Sequence, residues 1–140
     1  MRKEFVEGEL SREIIGAFYE VYNALGPGFV ESVYSRALEI ALTERGMHVE
    51  REFTVQVFFR GRQVGVHRID MFVERRVVVE NKATRRLADA HMRQLLSYVT
   101  AANVELGIRL HFGPHATFHR VLGIRRRGES ESDSGHSGDS

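Results

Sequence analysis

Apolar residues recur at helical spacing through Leu10, Ile14, Phe18, Val21, Tyr22 and Leu25. This predicts a first helix, with Ser11 as N-cap and Gly26-Pro27 as the stop. A second helix is expected over residues 29–45, with Val30, Val33, Tyr34, Ala37, Leu38, Ala41 and Leu42 as its apolar stripe and Gly46 ending it. The period then drops to two. Residues 48–59 read as one or two strands, 60–63 as a turn, 64–73 as a strand, 74–76 as a tight connection and 77–83 as the next strand. Helical spacing returns over 87–103 through Leu87, Leu95, Val99 and Ala102, and two strands follow at about 105–112 and 117–124. No internal repeat interrupts this order. It predicts a mixed α/β domain, one central sheet flanked by helices. The last strand is a candidate sheet edge, which leaves a homodimer open.

Composition narrows the class. With 42% hydrophobic and 28% charged residues in 140, the chain suits one soluble globular domain. That domain is expected over 1–127. Residues 128–140 are rich in Ser, Gly and acids without an apolar residue, and read as a disordered tail. No apolar run approaches a membrane span, and the N-terminal residues have no stretch of the signal-peptide kind. With no cysteine, disulfides, thiolate metal sites and cysteine nucleophiles are excluded. The cytoplasm is the expected location. The net charge of +1 conceals an asymmetry. Without the four acids of the tail the body carries 20 basic and 15 acidic residues, or +5, which is compatible with a polyanionic partner. Lysine occurs only at Lys3 and Lys82; every other basic residue is Arg.

That second lysine lies in an odd place. In Val77-Val-Val-Glu80-Asn81-Lys82-Ala83 a run of branched residues suited to a buried strand leads into a carboxylate, an amide and an ammonium. Side chains alternate along a strand, so Glu80 and Lys82 share a face and Asn81 opposes it. If 74–76 form a three-residue hairpin loop, Val73 faces Val77 and Asp70 falls opposite Glu80. Two carboxylates held opposite each other call for a cation. A hard divalent ion such as Mg²⁺, which takes one or two carboxylates and keeps several waters, suits them. A solvated strand face is the plain alternative. On the second helix Glu31 falls inside the apolar stripe, in line with Leu38, either as a third acid at the cation or as a first-turn residue favoured by the helix dipole. On the last helix Gln94 and Tyr98 share a face, with His91 one turn earlier, and an amide and a hydroxyl there can bind a phosphate oxygen. The seven histidines form no helical metal motif, and His111, His115 and His119 read as surface strand and turn residues.

Gly28-Phe-Val-Glu31-Ser-Val-Tyr34, Arg68-Ile-Asp70, Val-Val-Val-Glu80-Asn-Lys82-Ala, Gln94-Leu-Leu-Ser-Tyr98, Gly107 and His111-Phe112-Gly113 stand in this order along the chain. The set resembles the GxxExxY protein family over about 10–122, and that family is similar to the PD-(D/E)XK nucleases. The resemblance implies a restriction-endonuclease-like αβββαβ core. It also implies Asp70, Glu80 and the Asn81 carbonyl as ligands of Mg²⁺, with Mn²⁺ as substitute, Lys82 as the catalytic lysine and Glu31 as the helix acid. Gln94 and Tyr98 would contact substrate, joined by Arg85, Arg86 and Arg93 if these are more than solvated charges. Two positions depart from the pattern: Asn81 replaces an aliphatic residue, and Arg75 stands where the hairpin would carry glycine. The implied activity is Mg²⁺-dependent hydrolysis of phosphodiester bonds in nucleic acid, DNA being favoured. The alternatives are a nucleic-acid or partner-binding module of little catalytic power, and a hydrolase of another phosphate ester.

Overall fold

The computed structural model describes residues 6–86 and 89–123, with 89 and 90 described in their backbone alone. The element order is α1 (Gly8–Leu25), α2 (Glu31–Glu44), β1 (Val49–Phe59), β2 (Arg62–Val73), β3 (Val77–Lys82), α3 (Asp89–Ala102), β4 (Leu106–Phe112) and β5 (Ala116–Leu122). The strands form one sheet in the order β1-β2-β3-β4-β5, antiparallel except for the parallel β3–β4 pair. This is the mixed α/β sheet expected of an αβββαβ core. Among the described residues no helix is long and apolar enough to cross a membrane. The 128–140 tail and the proposed start of the last helix at Leu87 lie outside the described residues.

Two cores sandwich the sheet. On one face Ile14, Phe18, Tyr34, Leu38 and Leu42 of α1 and α2 pack on Val77, Val79, Ile108 and Leu110. On the other, Leu95 and Val99 of α3 pack on Val55, Ile69, Phe72 and Val78. β3 is thus covered on both sides, which is why its valines run without alternation. Gly107 lets α3 lie close on β4: a Cβ there would stand 2.4 Å from Val99 Cγ2.

Several local expectations are corrected. α1 begins before Ser11, which is buried inside the helix; its N–H bonds the Glu7 carbonyl at 2.8 Å, and Glu7 holds the cap position. Val30 and Val33 are exposed and not part of the stripe. Val30 is the extended N-cap residue, and Val33 lies about 140° around the helix from Leu38. Ser35 faces inward in their place. The β1–β2 turn is tighter than expected. Arg60 and Gly61 alone make it, with φ of 53° and 78°, the two-residue geometry that suits a twisted hairpin.

Candidate active site

The hairpin joining β2 to β3 sets the geometry. Val73 pairs with Val77, Phe72 with Val78 and Met71 with Val79, the register of a three-residue loop. No glycine is needed there, because Glu74 and Arg75 adopt the left-handed conformation themselves, with φ of 54° and 51°. The local strain is offset by contacts outside the loop. The Glu74 N–H bonds the His48 carbonyl at 2.8 Å, and Arg75 makes a two-pronged contact to Glu50 at 2.8 and 2.9 Å.

The pairing of β2 with β3 stops at Met71–Val79, one step before Asp70 and Glu80. An Asp70 carboxylate oxygen accepts the Asn81 main-chain N–H at 2.9 Å, where a strand would offer a carbonyl. β2 also changes face at this point. Met71 and Val73 belong to the α1/α2 core, whereas Ile69, of the same parity, packs under α3. β1 does the same: Val49 packs with the first core and Phe53 with the second, and the intervening Glu52 has φ 54°. The pairs Arg51–Met71 and Phe53–Ile69 keep one register across the kink. Burial raises the Asp70 carboxyl above its usual range, and the Asn81 N–H and Lys82 pull the other way.

Glu80 follows Val78 onto the α3 face and is buried. Burial pushes its pKa up to about 7; Lys82 opposes the shift, Asp70 adds to it, Arg109 opposes it and Glu31 adds to it. Beside it, in register on β4, lies the fully buried Arg109. Its Nη2 is 3.7 Å from Glu80 Oε1, an ion pair without a hydrogen bond. Arg109 is tethered instead to the His91 carbonyl and, at 2.7 Å, to Met92 Sδ. Among the described residues Glu80 Oε1 therefore has no hydrogen-bond partner, an arrangement that is costly for a buried acceptor. The sequence pattern did not single out Arg109. A lone guanidinium within Leu106-Gly-Ile-Arg-Leu-His-Phe112 was the available signal.

Lys82 is partly buried on the same face, its Nζ 3.9 Å from Glu80 Oε2. The two stand at ion-pair distance. Next to Lys82 across β4 is His111. It is buried, contrary to its reading as a surface residue. Its Nε2–H donates to the Thr84 carbonyl, which ties the loop after β3 to β4.

Glu31 is the first residue of α2 and is half-buried. Burial and the Asp70 charge raise its pKa, while Lys82 lowers it, so the three groups share one field. The spacing from Gly28 to Tyr34 has a mechanical reason. Gly28 has φ 110°, a conformation side chains rarely tolerate. Tyr34 is fully buried; its hydroxyl donates to the Gly26 carbonyl at 2.5 Å and accepts the Phe29 N–H at 3.2 Å. Its ring stacks on Phe112, with centroids 4.3 Å apart. The loop is thereby clamped to the end of β4, and Glu31 is held at the helix start.

From α3, Tyr98 reaches toward the acids. Burial raises the pKa of its hydroxyl, the Glu80 and Asp70 charges raise it further, and a hydrogen bond to Gln94 lowers it. Its ring meets His67 of β2, with centroids 4.8 Å apart. Arg85, Arg86 and Arg93 are exposed. Arg85 lines a cleft of about 410 Å³ with Pro27, Gly28, Ala83 and Phe112, so the turn after Lys82 and the loop before Glu31 share one opening.

Asp70 and Glu80 provide hard oxygen donors. Asp70 uses one oxygen on Asn81, and Glu80 presents a buried oxygen that lacks a partner. With the Asn81 carbonyl this donor set fits an ion that keeps several waters. Among the described residues no group of three or more His, Cys, Asp or Glu side chains could hold a metal ion by itself.

Comparison with known proteins bears on this arrangement. No curated protein matches the chain. The crystal structure of SSO0001 matches with a TM-score of 0.54 and 19% identity, over 91% of this chain and 66% of that one. At that identity the likeness is one of fold, and the chain spans about two thirds of that protein's length. The family model of the PD-(D/E)XK nuclease superfamily matches residues 8–125. That stretch contains all eight secondary-structure elements and every candidate site residue, and the chain belongs to the PD-(D/E)XK nuclease superfamily.

Proposed function

We propose that this protein is a divalent-metal-dependent nuclease that hydrolyses phosphodiester bonds in DNA. The observation that carries the reading is the opening of β2 from β3 at Asp70 and Glu80, with Lys82 3.9 Å from Glu80 at the same opening. Asp70, Glu80 and the Asn81 carbonyl would hold Mg²⁺ or, in its place, Mn²⁺. When bound, such an ion supplies Lewis-acid polarisation of the scissile phosphate and acidification of water. Lys82 places a positive charge where the phosphorane-like transition state gathers negative charge, or orients the attacking water. Glu31 positions water from the helix side. The Gln94 amide and Tyr98 hydroxyl hold phosphate oxygens, and Arg85, Arg86 and Arg93 contact flanking phosphates.

Arg109 favours a second reading. A fixed guanidinium 3.7 Å from Glu80 repels a divalent ion at that oxygen, as it would in a domain that binds nucleic acid with little cleavage. One experiment separates the two. Labelled single- and double-stranded DNA, linear and circular, is incubated with Mg²⁺, Mn²⁺ or EDTA, and Lys82→Ala is run beside the wild type. Metal-dependent cutting that is lost in Lys82→Ala is the expected result. Binding without cutting by the wild type would move the assignment to the binding module.

A further inference from the structure

Beyond the kink at Glu52 and Asp70, β1 and β2 pair only with each other. α3 covers the base of this hairpin, where Val55 and Ile69 are buried and His67 meets Tyr98. Past that point no other element among the described residues pairs with the ribbon. Phe58, Phe59, Val64 and Val66 are 42% to 62% exposed there. From Phe53 to Ile69 the chain has Arg60, Arg62 and Arg68 and no acid. Arg68 is engaged by Glu52 at 3.0 Å. Arg60 lies over the Phe59 ring, 4.8 Å from its centroid, and Arg62 makes no ion pair among the described residues. The tip therefore presents two cations beside aromatic and branched apolar surface.

We infer that the β1–β2 hairpin is an arm that binds duplex DNA by entering its major groove. A two-stranded ribbon fits the groove of B-form DNA, whereas the major groove of A-form RNA is too deep and narrow for side chains to read. Arg60 and Arg62 meet phosphates on the groove walls, and the exposed phenylalanines and valines meet thymine methyl groups. From Asp70 to Arg62 the strand runs eight residues, about 26 Å, or about eight base pairs of duplex. A second copy of this chain is the poorer occupant, because two tips that each present Arg60 and Arg62 and no acid repel each other. The inference rests on the nuclease reading for what happens to the bound DNA, since the arm springs from Asp70.

The test measures duplex affinity in EDTA as a function of salt, for wild type and for an Arg60→Ala/Arg62→Ala variant. The expected loss of two phosphate contacts flattens the slope of log K against log salt by about 1.8, at about 0.9 per phosphate. Phe59→Ala is expected to weaken binding with the slope unchanged, and wild type to prefer duplex DNA to duplex RNA of the same sequence. Metal-dependent hydrolysis of bis(p-nitrophenyl) phosphate, too small to reach the arm, is expected to be the same in all three proteins. Unchanged affinity and slope in the double variant would overturn the arm. So would a wild-type dimer in sedimentation that Val66→Ser splits into monomers. If the small diester is left intact while the slope flattens, the nuclease reading fails and the arm stands. If the diester is hydrolysed and the slope is unchanged, the arm fails and the nuclease reading stands.

Discussion

Replacing Glu80 by Gln removes an ionisable group whose pKa is pushed from 4.5 to about 7, chiefly by burial. A carboxyl with a raised folded-state pKa favours the fold when protonated. Its stabilisation is complete below 4.5 and is lost as the pH rises through 7. A difference of about 2.5 units is worth about 3 kcal/mol across that window, and about 2 kcal/mol between pH 5.5 and 8.0. Glutamine keeps the shape and never ionises. Asp70 and Glu31 are also raised, so the contribution of Glu80 is the difference between two proteins and not the slope of one. Urea unfolding in EDTA at the two pH values measures it. The expected result is that Glu80→Gln gains about 2 kcal/mol on wild type between pH 5.5 and 8.0. Equal pH dependence in both proteins would refute the desolvation argument. A greater relative loss in Glu80→Gln at pH 8.0 would mean that the ion pair with Arg109 outweighs desolvation.

Mg²⁺ at pH 8.0 is expected to stabilise the wild type, by about 2.7 kcal/mol at a concentration a hundred times Kd, and to leave Asp70→Asn and Glu80→Gln unchanged in the same unfolding assay. Tyr34→Phe keeps the stacked ring and removes the hydroxyl between Gly26 and Phe29, a loss of about 1–2 kcal/mol by urea unfolding. Gly107→Ala forces a methyl to within 2.4 Å of Val99 and is expected to cost about 1–3 kcal/mol, part of which Val99→Ala restores.

The element order and the hairpin register were legible because both follow from local rules: period, loop length and alternation. Those rules alone put Asp70 opposite Glu80 and Gln94 on the side of Tyr98. What escaped depends on tertiary placement. Arg109 was invisible because its burial depends on Glu80 lying on a parallel neighbour 29 residues away in sequence. His111 is buried for the same reason: the loop after β3 supplies a carbonyl for it. Val30 and Val33 looked like core because the stripe was read by hydrophobicity. The inward face instead includes Ser35, whose hydroxyl takes the Asn81 amide at 3.1 Å. The change of face at Asp70 cannot be seen in a strict period of two, since it breaks that period while keeping the register.

The strand that carries Glu80 and Lys82 has one local partner and one distant one. β2 joins it through a three-residue turn, whereas β4 arrives only after α3 has crossed the sheet. Short-range hairpins close quickly, and parallel pairing across a long connection closes late, after the loop entropy has been overcome. A chain that has formed the β1–β2–β3 meander alone holds Asp70 and Glu80 near each other without Arg109 beside them. The two carboxylates then meet while still in water, with Lys82 of the same strand as their nearest cation. Docking of α3 and β4 is thus the step that takes the acid pair out of water and sets Arg109 beside it, and the site is finished by the slowest-closing part of the fold.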